Sequence, residues 1–297
     1  MARRSRYFSV ILILSTLYIF FNYYIMVLSP PTQGLSIRAI TPVITTFSVP
    51  FLRFNVFPIG GRSTAIKLDN GNLWLLASHP LDQPTKDTLD GMGKSVDYIV
   101  CGDIEHTLYV RSYAETWPEA RLVGPDEIVQ KEGAKEGGLK YYRASDNGGK
   151  FGFEDEIEVV QFKGFANKDF AFWHKASKTL IQADLLFNLP AAEQVSLSSF
   201  TPKDDRSFQS FPHQFSKSAS GKPSSWVPGM GLLSTAFHPS AWLHKQFVWA
   251  AGADKGLMRE HLKAMQGWDF DRIIPCHGDV IETGGKKAWS EAYSKYL

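Results

Sequence analysis

Three short apolar runs in this chain each stop at residues that can hold a cation. Asp97-Tyr98-Ile99-Val100 leads into Cys101-Gly102-Asp103-Ile104-Glu105-His106. Thr179-Leu180-Ile181-Gln182-Ala183 leads into Asp184, and Arg272-Ile273-Ile274-Pro275-Cys276 leads into His277-Gly278-Asp279. Short apolar runs bounded by turn residues read as buried strands. Parallel strands of open α/β sheets present ligands in the crevice beyond their carboxyl ends. The pattern therefore asks for a scaffold in which three strands end at one edge and bring Glu105, His106, Asp184 and His277 together.

The rest of the chain reads as alternating layers. Residues 40–57 are β-branched and aromatic, with Pro42, Pro50 and Pro58 as punctuation, and read as one or two edge strands. Ser63 to Leu68 and Leu73 to Ser78 are strands joined by an Asp69-Asn70-Gly71-Asn72 turn. Helices are expected over 85–93, 107–120, 126–133, 240–250, 253–266 and 286–296, where apolar residues recur at helical spacing. Strands are expected over 120–123, 157–162, 170–174 and 179–183, with Lys175 to Lys178 as a hairpin turn. Residues 133–152 and the serine-rich 196–222 read as loops. Hairpin, strand, helix, strand is the order of a layered α/β fold.

The N-terminus has a different character. Arg3, Arg4 and Arg6 precede an uncharged apolar run from Tyr7 to Leu28. As a helix this run would cross roughly 30 Å of hydrocarbon. Arginines ahead of it place the N-terminus in the cytosol and the following domain in a lumen or outside the cell. Residues 1–34 are thus expected to be a single-pass membrane anchor and linker, and 35–297 one globular domain starting near Ala39. A cleaved signal peptide and a secreted domain is the alternative.

A formal net charge of +2 gives no general electrostatic case for nucleic-acid binding. Cys101 and Cys276 are too few for a disulfide framework. Two inert buried thiols are expected, with a disulfide as the alternative in an oxidising compartment.

The order of elements and these motifs resemble the metallo-β-lactamase-like hydrolase fold over residues 39–297, and within it the uncharacterised DUF4336 family. That resemblance implies a four-layer αββα sandwich with metals at the edge between two sheets. It also implies a first metal motif of His-x-His-x-Asp-His, whose place is taken here by residues 101–106. Glu105 matches the motif's Asp and His106 its last His, while Cys101 and Asp103 replace two histidines. Phe165 stands where a further histidine is expected and cannot ligate. Asp184 matches the metal-bridging Asp, and His277 the final His.

One divalent metal, with zinc as the expected ion, is therefore assigned to Glu105, His106, Asp184 and His277, a chemically sensible mixture of oxygen and nitrogen donors. Asp103 and Asp279 are the candidate proton acceptors. The expected activity is metal-dependent hydrolysis of a small-molecule ester, thioester or phosphoester. A non-catalytic binding protein that kept the fold is the alternative. Each residue also has a plainer role: His106 and Glu105 at a helix start, Asp184 against backbone N–H groups, Asp103 and Asp279 shaping turns. His79 is assigned to a surface turn or to the same crevice, and His174, His213, His238, His244 and His261 to structure.

Overall fold

In the computed structural model, the structure describes residues 34–53, 57–133, 135–142, 150–195 and 236–297. The apolar run at 7–28 and the 196–222 loop lie outside the described residues. Among the described residues, no helix is long and apolar enough to cross a membrane. Residues 34–297 cluster as one unit.

Period-two alternation builds the layers. Every residue of the strand Leu73–Leu76 is buried, but successive side chains serve different cores. Trp74 and Leu76 face one cluster, Leu73 and Leu75 another. Ile66 and Ala65, Val100 and Ile99, Ile181 and Leu180, and Ile274 and Ile273 divide in the same way. Burial on both faces favours apolar runs, as in Leu73–Leu76 and residues 98–100.

The strands form two main sheets. The first contains β1 (Ser36–Thr41), β2 (Ile44–Val49), β5 (Gly61–Lys67), β6 (Leu73–Leu76), β7 (Val96–Val100) and β8 (Arg121–Val123), in the order β1-β2-β5-β6-β7-β8. The second contains β9 (Ile157–Gln161), β10 (Phe170–His174), β11 (Thr179–Gln182) and β12 (Arg272–Pro275), in the order β12-β11-β10-β9. A two-stranded hairpin, β3 (Leu52–Arg53) with β4 (Phe57–Pro58), stands apart from both. One core joins residues of both sheets, with Trp74 against Phe172 at its centre. A second lies between the first sheet and the helices α1 (Gln83–Met92) and α2 (Val110–Thr116). A third lies between the second sheet and α5 (Trp242–Ala251), α6 (Lys255–Ala264) and α7 (Gly285–Ala292). The layer order is helix, sheet, sheet, helix. Two short helices, α3 (Asp126–Gly133) and α4 (Ala192–Val195), complete the described set.

Three expectations need correction. The first strand starts at Ser36 rather than near Ala39. β2 is an interior strand, paired with both β1 and β5; Pro42 and Pro50 fall just outside its bounds, so the ladder loses no N–H donor. The helix expected over 107–120 is confined to Val110–Thr116, because the residues before it are held in turns that serve the strand end.

Strand directions create the site. β6–β7 and β7–β8 are parallel in one sheet, and β11–β12 are parallel in the other. Glycines let the two sheets meet where these strands end. A Cβ on Gly102 would lie 2.9 Å from the Cβ of Ala183. The Gly102 carbonyl accepts the Phe170 N–H at 3.0 Å, which ties the end of β7 to the start of β10.

Candidate metal centre

His106, Asp184 and His277 meet at this edge, with one ligand atom from each all within 4.8 Å of one another. The end of β7 delivers the first, β11 the second and β12 the third. Each of the two imidazoles has one nitrogen already engaged. His277 Nδ1 lies 2.6 Å from the Gly60 carbonyl oxygen. A carbonyl can only accept, so Nδ1 carries the proton and Nε2 is left toward the site. His106 Nδ1 lies 2.8 Å from Asp103 Oδ1 and donates to it in the same way. A histidine that donates Nδ1–H to an oxygen and offers Nε2 has the usual arrangement of a metal ligand.

Asp184 completes the set. Its Oδ1 is buried and has no hydrogen-bond partner, although His277 Nε2 stands 3.2 Å away. An ionised carboxylate oxygen is costly to bury without a donor or a cation. Two imidazole nitrogens and one such oxygen fit a zinc-type centre with three protein ligands and an open position. The thiols do not join it. Cys101 and Cys276 are free and buried, and burial pushes both thiols well above their ordinary range, so neither is a thiolate.

Carboxylates dominate the electrostatics of this edge. Burial opposes charge on His106, but the carboxylates of Asp103 and Asp184 outweigh it and hold its pKa up at about 10. Burial also works against ionisation of Asp184, and His106, His277 and Arg53 overcome it and hold that carboxyl well below the usual range. Asp169, fully buried beside Asp103 and Asp184, is pushed well above it by burial and by those two charges. Three carboxyl groups thus meet at this edge, a field that favours positive charge there, as a proton on His106 or as a divalent cation.

The other sequence-assigned residues fall elsewhere. Glu105 is not in the group: its carboxylate is 3.4 Å from Arg53 and its side chain is 47% exposed. Asp103 is fully buried and uses Oδ1 on the N–H groups of Glu105 and His106 as well as on the imidazole. That makes it the residue that orients His106, with Oδ2 left at 3.4 Å from Asn167 Nδ2. Asp279 Oδ1 accepts the Glu193 N–H at 3.0 Å, and burial raises its pKa to about 6. Phe165 is buried in the core beneath α5 and α6. His79 is neither on a surface turn nor in the crevice. It is fully buried, with Nδ1 2.6 Å from Ser63 Oγ and Nε2 2.9 Å from Thr85 Oγ1.

Four residues not singled out from the sequence hold the centre. Arg62, fully buried on β5, donates through Nη1 to the carbonyls of Pro275 and Gly278 at 2.7 and 2.6 Å. Gln194 on α4 donates to the Cys276 carbonyl and accepts the Gly278 N–H. Asn167 donates to Asp184 Oδ2, and Asp169 accepts the backbone N–H of Asp184. No local signal marked Arg62, because its strand also carries Ser63, Thr64 and Lys67. For Asn167 and Asp169 the signal was direction: a turn leading into β10, antiparallel to β11, must lie where β11 ends. Phe187 stacks on His277 at 5.4 Å, and Phe51 faces the same ring at 6.0 Å.

No family model matches the chain, and no curated protein matches it. Solved structures do. A metallo-β-lactamase from Hirschia baltica is 10% identical at a TM-score of 0.52, over 89% of this chain and 98% of that one. The metallo-β-lactamase FIM-1 from Pseudomonas aeruginosa, in its mono-zinc form, is 10% identical at a TM-score of 0.50, over 90% of this chain and 96% of that one. A flavoprotein from Thermotoga maritima is 13% identical at a TM-score of 0.54, over 90% of this chain and 62% of that one. At such identities the likeness is one of fold. The chain has a metallo-β-lactamase-like α/β fold.

Proposed function

We propose that this protein is a metal-dependent hydrolase of a small ester, thioester or phosphoester, working with a single divalent ion, zinc by preference. The observation that carries this reading is the triad itself: two imidazoles presenting Nε2 and one buried, unpartnered carboxylate oxygen, His106, His277 and Asp184, within 4.8 Å. When bound, such an ion supplies Lewis-acid polarisation and a more acidic water at neutral pH. The chain's own residues do the rest. Asp103 and the Gly60 carbonyl fix the two imidazoles, and Phe51 and Phe187 flank His277 with apolar surface. Asp103, beside His106, is the first candidate to take a proton from substrate, while Glu105 is turned to Arg53 and solvent. Asp279, with its raised pKa, is the alternative acceptor.

That the similar FIM-1 structure is a mono-zinc form supports a single-ion reading. The narrower kinship with the DUF4336 family rests on the motifs at 101–106, 183–187 and 275–278 alone. The basic start and the apolar run at 7–28 support a single-pass anchor with the domain in a lumen or outside the cell.

A panel of chromogenic esters, thioesters and phosphoesters tests the activity. The expected result is turnover by the zinc-loaded chain that a chelator abolishes and Asp184→Ala lacks. The second reading, a binding protein on a retained fold, is favoured by Phe165, a core residue where the resembled motif has a ligand. Zinc-loaded protein that turns over no member of the panel supports that reading instead.

A further inference from the structure

The segment 167–169 wraps Asp184 from two sides. Asn167 Nδ2 donates to Asp184 Oδ2 at 2.6 Å and lies 3.4 Å from Asp103 Oδ2. Both neighbours are carboxylate oxygens, so the amide must turn its nitrogen to them. The Asn167 carbonyl accepts the Ile104 N–H at 3.0 Å, which pins this segment to the turn that carries His106. Asp169, two residues on, accepts the backbone N–H of Asp184. Between them Lys168 has a φ of 58°, in the left-handed region that side chains other than glycine rarely enter. That turn is what lets both Asn167 and Asp169 reach the same aspartate.

The two oxygens of Asp184 are therefore unlike. Oδ2 is taken by the Asn167 donor, and Oδ1 is buried without a hydrogen-bond partner. The Asn167 amide nitrogen also stands between the carboxylates of Asp103 and Asp184, where a second cation drawing on both would have to sit. We infer that Asn167 fixes the centre at one ion, by holding Asp184 as a one-oxygen ligand and by filling the space between Asp103 and Asp184 with its own N–H groups. This rests on the reading of His106, Asp184 and His277 as ligands, and it makes Asn167 a positioning residue that acts through Asp184.

Two substitutions separate the parts of this role. Asn167→Leu keeps the branched shape and removes the donor, which frees Asp184 Oδ2. Residues that orient a metal ligand are worth about 10–100-fold in metal affinity, and a loss of that size is expected with one ion still bound. Asn167→Asp replaces the donor by a further carboxylate facing Asp103 and Asp184, which opens that space to a second cation drawing on all three.

The test is titration of the chelator-stripped, full-length chain in detergent with Zn²⁺ by calorimetry and with Co²⁺ by visible absorption. The wild type is expected to take one ion. Asn167→Asp is expected to take two, and Asn167→Leu one, bound about 10–100-fold more weakly and with altered Co²⁺ bands. One ion in Asn167→Asp, or wild-type affinity and bands in Asn167→Leu, overturns the inference. If Asn167→Asp does not fold, the affinity and spectrum of Asn167→Leu decide it. A wild-type chain that takes up no ion contradicts the ligand reading itself, a result distinct from unchanged binding in the variants.

Discussion

At the scale of single residues, Gly278 shows how closely the centre is built. Its φ is +98°, and a Cβ there would lie 2.3 Å from the Asn188 carbonyl oxygen, the contact that docks the end of β12 against the segment after β11. Left-handed strain and overpacking add, so Gly278→Ala is expected to destabilise the protein by at least ~2 kcal/mol and to lower metal occupancy, as read by thermal unfolding and elemental analysis. His79 sets an acid limit. Burial depresses its folded-state pKa from 6.5 to about 3. The unfolded chain therefore binds this proton first as pH falls. Its contribution to stability is complete above pH 6.5 and is lost below it, by up to ~1.4 kcal/mol per pH unit, until about pH 3. Urea unfolding across that window should show His79→Asn with a shallower acid slope by about one proton than the wild type. An equal slope in the two proteins would contradict this.

At the scale of elements, β5 and α4 act as a clamp on the end of β12. Arg62 reaches from the first sheet to the Pro275 carbonyl at the end of β12 and the Gly278 carbonyl just past it, and Glu193 on α4 stands 3.3 Å from its guanidinium. Removing a buried partner of this kind leaves polar groups without donors. Arg62→Leu is expected to cost about 3–5 kcal/mol and to weaken metal binding with it, measured by chemical denaturation and metal titration. Retained stability in that variant would mean the clamp is dispensable. This element was also the least legible in the sequence. The strands at 98–100, 179–183 and 272–275 stood out because burial on both faces favours apolar residues at their centres. His106, Asp184 and His277 stood out because they follow those strands at once. Arg62, Gln194 and Asn167 act through contacts between residues far apart in the chain, and no local spacing encodes such contacts. Glu105 stood beside His106 in sequence, but the turn that points His106 inward sends its neighbour toward Arg53 and solvent.

At the scale of the whole molecule, two layers of helix enclose two sheets, and the parallel strand ends of both sheets open on one edge. A layered α/β fold followed from the alternation of strands and helices and the four-layer order only from the family resemblance; the assignment of which sheet each strand joins did not follow, since pairing partners are set by distant residues. The proposed anchor makes its own prediction: the full-length chain should stay with membranes through alkaline carbonate extraction, and release by carbonate would defeat it. The account as a whole rests on the ion. Protein purified without chelator should carry one divalent ion per chain. Added Zn²⁺ should raise its unfolding temperature by mass action, and His277→Ala and Asp184→Ala should each lose most of that ion and that gain. Phe165→Ala should cost ~3–5 kcal/mol of core packing and leave the stoichiometry unchanged. The most direct test is elemental analysis of the wild type beside thermal unfolding with and without Zn²⁺. One ion per chain and a chelator-sensitive rise in unfolding temperature are the results expected, and a protein that holds no metal and gains no stability from zinc, manganese or iron would contradict the account.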